Sequence, residues 1–317
     1  MKTKFYITVA ATILLHILCR AQQSEYTIKE IGQCKTGVAY DVFTEENYAY
    51  VTTNHGVSII YIKDKIHPKV IGKVKTNTPT FGVFARSQKL YTVTLDGQFI
   101  ISEIQNPQMP EIISSVKNLG ETDEITIDDP YAYVTLDHGK LVIFNIDDPA
   151  KPELIGSYNH EGSLKGISVK NGILYIAARR KGFLIMDAVN PASPELKSII
   201  PVEGSARSVD IYKELLIAGS HTGPVNIFDI SHPLVPVRLS SVNEGGEAYG
   251  VSVENDILII ADLQRGILAY DISDPANPSF LAKIQCPAHS VYYAGGYIYV
   301  SAETGFHIFK LQESKNR

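Results

Sequence analysis

Seven positions spaced 40–42 residues apart carry the side chains best suited to chemistry: Tyr40, Phe81, Asp123, Lys165, Arg207, Tyr249 and His289. Arg207 and Lys165 can hold a carboxylate or phosphate, the guanidinium in bidentate fashion. Tyr40, Phe81 and Tyr249 offer faces on which a sugar or other flat group can stack. His289 can take up and return a proton near neutral pH. A position that served only the scaffold would converge on one or two residue types over seven copies, and this one does not. The residues that follow it, Asp41, Gly82, Glu124, Gly166, Ser208, Gly250 and Ser290, are mostly small, as a crowded axis requires.

Short loops later in each copy add Asn54, His55, Asp96, Asp137, His138, Arg179, Arg180, Lys181, His221, Gln264, Arg265 and Glu303. Lys165, Arg179, Arg180, Lys181, Arg207 and Arg265 fall in three consecutive copies. They form a basic sector on a chain whose net charge is −5. In a concave mouth that sector would attract an anionic ligand; as solvated loop charges it would bind nothing. The acidic balance disfavours nucleic acid as a partner. No nucleophile elbow, His-Glu-x-x-His, phosphate loop or Cys-rich zinc pattern occurs, so no cofactor and no metal are expected. The acidic stretches Gly120–Glu124 and Asp128–Pro130 lack the alternating spacing of a calcium loop and read as solvated turns.

The elements that must position these residues follow a fixed period. Pro68, Pro110, Pro152, Pro194, Pro236 and Pro278 are each 42 residues apart. One period reads as four short strands, in the third copy Glu124–Ile127, Tyr131–Thr135, Lys140–Ile146 and Pro152–Tyr158, rich in Val, Ile and Tyr and bounded by Gly, Asp, Asn or Pro. A double-proline link such as Asp147–Pro152 stops the third strand and starts the outermost one, because proline fixes φ and lacks a donor. A glycine recurs before the third strand (Gly56, Gly97, Gly139, Gly182, Gly223, Gly266, Gly305), as a hairpin with positive φ requires. Four strands in roughly 42 residues indicate a β-propeller blade. The strand-one centres Val42, Val83, Ile125, Ile167, Val209, Val251 and Val291 count seven blades. The seventh copy lacks its fourth strand, and the orphan segment Tyr26–Cys34 supplies it. The reading is therefore all-β: a seven-bladed propeller closed by its N-terminal strand, which removes two sheet edges.

Leu141–Pro152, Phe183–Pro194 and Ile267–Pro278 resemble the LVIVD repeat, a family of tandem repeats in largely extracytoplasmic prokaryotic proteins. The resemblance covers nearly all of the chain after residue 21 and implies a propeller. It implies little about activity, because the family carries no shared catalytic motif. Ile62–Pro68 of the first copy departs from the double-proline link. Two functions remain open at this level. One is a non-catalytic binding or scaffolding module for a protein or an anionic glycan, with Tyr40, Phe81, Asp123, Lys165, Arg179, Arg180, Arg207, Tyr249, Arg265 and His289 around the mouth. The other is a lyase or hydrolase acting on an anionic glycan, with His289 as its proton-transfer group.

The N-terminus reads as a targeting segment. Lys2 and Lys4 precede an apolar run from Phe5 to Leu18, and small residues at Cys19 and Ala21 predict cleavage after Ala21. Lipid anchoring at Cys19 is the competing reading, against which Leu18 stands where a small residue is needed. Residues 1–21 are thus expected to be a signal peptide and 22–317 a single, monomeric propeller domain outside the cytoplasm: periplasmic, surface-bound or secreted, with no transmembrane segment left after cleavage. Cys34 and Cys286 occupy equivalent places in blades seven and six, and either bridge or remain isolated thiols.

Overall fold

A computed structural model describes residues 26–243 and 245–314. The expected leader, including Cys19 and Ala21, lies outside the described residues. Each period folds into a four-stranded antiparallel sheet, and seven such sheets form the ring. The second and third strands of each blade are buried on both faces, as in Tyr131–Leu136 and Lys140–Asn145, which explains their nearly continuous apolar sequence. The core is accordingly divided into seven clusters, most lying between neighbouring blades. Ile217, Ile227 and Val242 of blade five, for example, pack against Val251, Leu258 and Ile260 of blade six.

The last sheet takes its outermost strand from the N-terminus. Tyr26–Cys34 pairs antiparallel with Gly305–Glu313, from Tyr26 opposite Glu313 to Cys34 opposite Phe306. The hairpin glycines adopt positive φ in six of seven blades, for instance 82° at Gly139. Blade five differs: Thr222 takes the positive φ (64°) in place of Gly223. Blade one, although it lacks the first proline of the link, makes the same turn: Asp64 Oδ1 accepts the amides of Ile66 (3.0 Å) and His67 (3.3 Å). Asp148 Oδ1 likewise accepts the Ala150 amide (3.0 Å). An aspartate side chain bridging to an amide two residues on sets the turn without help from proline.

Each proline link also locks onto the preceding blade. The residue four after the last proline of the link is Gly72, Ser114, Gly156, Ser198, Ser240 or Ala282. A Cβ on Gly72 would lie 1.9 Å from Pro107 O, and one on Gly156 would lie 1.9 Å from Pro191 O, both in the next blade's link. Where serine stands instead, its hydroxyl donates to that link: Ser114 to Pro149 O (2.8 Å) and Ser240 to Pro275 O (2.6 Å). Ala282 faces the closing blade, which has no link. Gly156→Val is expected to destabilise the protein by about 3 kcal/mol through overpacking against a main-chain carbonyl. Gly156→Ser should cost less, since three blades accommodate serine there. Urea unfolding midpoints of the two variants test this; equal midpoints would refute the lock.

Cys34 and Cys286 are both free thiols, so the disulfide alternative is corrected. Cys34 packs in the cluster between blades seven and one, and Cys286 in the cluster between blades six and seven. The sheet of the closing blade therefore separates them. Burial pushes the Cys286 thiol up to about 11, which keeps it protonated and unreactive.

Candidate functional site

The inner strands line one axial cavity of about 760 Å³, and all seven divergent residues from Tyr40 to His289 contribute to its wall. A β-bulge in five blades places them there. In blade three Thr122 pairs with Leu136 and Glu124 with Thr135, so Asp123 is skipped. Arg207 and Tyr249 are skipped in the same way, as are Tyr40 with Asp41 and Phe81 with Gly82. The residue before each bulge is buried (Ala39, Thr80, Thr122, Ala206, Ala248) and anchors the strand. A bulge leaves its extra residue out of the ladder and re-aims its side chain. In blades four and seven, Lys165 and His289 precede the strand proper and are held by main-chain bonds to Ala177 O and Ser301 O (both 2.8 Å).

The cavity has two unlike walls. Blades seven, one and two supply an aromatic one. Tyr40 meets Phe81 edge-on at 5.3 Å and stacks with His289 at 5.9 Å. Deeper in, Phe43 meets Phe84 at 4.6 Å and Tyr292 at 4.9 Å. The Tyr40 hydroxyl donates to Asn54 Oδ1 (2.6 Å). His289 Nδ1 lies 2.8 Å from Ala39 O. A carbonyl only accepts, so Nδ1 carries the proton and Nε2 is the remaining polar atom of the ring.

Blades three to five supply an ionic wall. Asp123 receives Lys165 Nζ at 2.7 Å and Arg207 Nη1 at 3.0 Å. Lys165 also reaches Asp137 at 2.5 Å, and its side chain is only 7% exposed. Burial opposes the charge on Asp137, but hydrogen bonds from Lys165 and Ser163 outweigh it and hold the carboxyl below its usual range. The Arg207 guanidinium lies over the Tyr249 ring at 5.4 Å, and that ring meets His221 edge-on at 5.3 Å. Lys165 and Arg207, two members of the basic sector expected from sequence, are thus neutralised within the wall.

Arg179, Arg180 and Arg265 do not line the cavity. All three are exposed on the rim. Arg179 Nε donates to Ser163 Oγ (3.3 Å), and Arg265 Nη1 to Asn243 Oδ1 (2.7 Å). Asp262 accepts the amides of Arg265 (2.7 Å), Gln264 (2.9 Å) and Glu247 (2.8 Å), so this loop is tied to itself.

Three further carboxyls line the cavity: Asp41 and Glu124 of the second ring, and Asp210, which nothing in the sequence marks. Asp41 and Glu124 stand out only as the acidic exceptions in an otherwise small ring. Asp210 accepts amides from Ile211 and, across the blade boundary, Val253 (both 2.8 Å). Burial outweighs those bonds and pushes it up to about 7. Among the described residues no group of three or more His, Cys, Asp or Glu is arranged to hold a metal ion, and no helix is long and apolar enough to cross a membrane.

The LVIVD repeat model matches residues 36–76, 119–160, 161–201 and 245–285, together just over half of the chain. These are blades one, three, four and six, each with its approach segment. No curated protein sequence matches. Among solved structures, the WD40 repeats of RRP9 superpose with a TM-score of 0.72 at 11% identity, over 90% of this chain and 97% of that one. The computationally designed Ika8 protein gives 0.66 at 10% identity, over 86% and 83%. Saccharomyces cerevisiae Sqt1 gives 0.65 at 11% identity, over 89% and 86%. At these identities the likeness is one of fold alone.

Proposed function

The chain belongs to the LVIVD repeat family, and from that architecture and the two-walled cavity we propose that it is a non-catalytic, extracytoplasmic binding module that holds an anionic glycan in the mouth of its axial channel. The carrying observation is that all seven divergent residues converge on one cavity of about 760 Å³, within the roughly 300–1,000 Å³ typical of ligand sites. A sugar ring has an apolar face and a polar rim. The face suits Tyr40 and Phe81, and the rim suits the charged wall opposite, where Arg207 lies over Tyr249. Arg207 commits Nη1 to Asp123 and keeps the rest of its fork for a ligand carboxylate. Arg179, Arg180 and Lys181 on the rim add positive charge that steers an anion inward. His289 is held in the wall by a main-chain carbonyl and a tyrosine ring.

A glycan array rich in uronic acids, followed by calorimetry on any hit, tests this. Tyr40→Ala and Arg207→Met are each expected to weaken binding by about tenfold or more, as losing a stacked ring or a charged anchor typically does. Arg180→Ala should change it little. Unchanged affinity in both wall variants, or turnover of the bound glycan, would overturn the proposal.

A further inference from the structure

The floor of the mouth holds two carboxyls that make no ion pair among the described residues. Asp41 comes from blade one and Glu124 from blade three, and both close on the Gly82–Val83 dipeptide of blade two between them. The Val83 amide donates to Asp41 Oδ2 at 3.2 Å. Glu124 Oε1 lies 2.7 Å from where a Cβ on Gly82 would stand, so the glycine is the space the carboxyl occupies. Asp41 is also served by the Ser290 hydroxyl, at 2.7 Å from Oδ1. Glu124 has the amide of Ile125, 3.0 Å from Oε1. The nearby cations Lys165 and Arg207 are engaged with Asp123 and Asp137.

We propose that Asp41 and Glu124 form one proton-holding carboxyl pair, with Glu124 as the neutral acid, and that the site takes up its anionic ligand together with a proton. The ligand half rests on the anion-binding reading of the mouth. Both carboxyls are half-buried and close on one dipeptide, and two carboxyls sharing a site resist ionising together. Burial, and next the charge of Asp41, lift Glu124 well above the usual carboxylate range. Burial lifts Asp41 too, but the bonds from Ser290 and Val83 work against it, so the proton resides on Glu124. The other ionisable groups on the channel wall are Tyr40 from blade one, Asp123 and Asp137 from blade three, Lys165 from blade four, and Arg207 and Asp210 from blade five. Blades six and seven add Tyr249, His289 and Tyr292, and blade two presents none. Asp123 reinforces the shift at both carboxyls, and Arg207 opposes it at Glu124. A neutral acid can donate a hydrogen bond to a bound anion. The anion in turn holds the proton more tightly, so a proton enters from solvent wherever Glu124 was ionised beforehand.

Carboxyl carbon NMR of the ligand-free protein reads the pair directly. Glu124 is expected to titrate above the other glutamates and to move down in Asp41→Asn; titration in the ordinary glutamate range would overturn the pair. Because the native state holds this proton more tightly than the unfolded chain, stability falls as pH rises from the unfolded glutamate value through the native one. Glu124→Gln should therefore melt higher than wild type on the alkaline side of that window and alike on the acid side. Calorimetry with trigalacturonate in two buffers of different ionisation heat reads the coupling. Affinity should be flat below the Glu124 titration and fall about tenfold per pH unit above it, with proton uptake. Glu124→Gln should bind without this dependence. Proton release, or no exchange, would overturn the coupling. Absence of trigalacturonate binding with Glu124 still titrating high would overturn the glycan reading of the mouth and the coupling, while leaving the pair standing.

Discussion

Deleting residues 26–34 is expected to abolish cooperative folding of the ring. The segment pairs with Gly305–Glu313 along its whole length and buries Ile28, with Tyr26, Ile31 and Cys34 packed on the clusters to either side. Burial of Tyr26, Ile28 and Ile31 alone is worth about 5 kcal/mol, comparable with the roughly 5–15 kcal/mol stability of a whole domain. The loss goes further than area. His307 is 8% exposed and bonds Glu30 Oε1 through Nδ1 at 2.8 Å and Thr304 Oγ1 through Nε2 at 2.8 Å. Without Glu30 a buried imidazole loses a partner, and the last strand becomes an open, unpaired edge prone to association. Near-UV circular dichroism, urea unfolding and gel filtration of the truncated chain test this. A monomer with an unchanged, single unfolding transition would show that the ring does not depend on its closing strand.

Asp123→Ala should cost about 3 kcal/mol. It removes the carboxylate shared by Lys165 and Arg207, whose side chains are 7% and 28% exposed. Breaking a buried pair from one side leaves charge without its partner and typically costs about 3–5 kcal/mol. The lower end applies because Lys165 keeps Asp137. Combining Asp123→Ala with Arg207→Met should recover part of the loss, since the stranded guanidinium is then gone. The shift in urea midpoint at constant slope measures both, and full additivity of the two changes would argue against the shared pair.

Much of the architecture was legible in local chemistry. The prolines, the hairpin glycines and the apolar inner strands are each dictated within a few residues, by φ, by donors and by burial. Tracking them to both ends revealed that Tyr26–Cys34 completes the last blade. The positions of the channel ring were legible too, because copies that agree elsewhere differ there. The bulge that turns these residues toward the axis was not. It is a pairing slip between strands, visible only in the register, as where Arg207 is passed over between Ala206 and Ser208.

Sequence by itself determined the blade, the blade count, the closure and the ring of seven positions, since each depends on a repeat unit and its ends. Only the closed ring decided how those positions interact. Asp123 meets Lys165 42 residues away and Arg207 84 residues away. Asp41 and Glu124 flank a glycine that belongs to neither of their blades. Charge pairing and proton affinity follow distance and burial in space, and in a propeller both arise when seven equivalent strands meet at one axis. A basic sector in the sequence thus divided into two cations neutralised in the wall and the rest on the rim, and two exceptions in a ring of small residues came to face the same glycine.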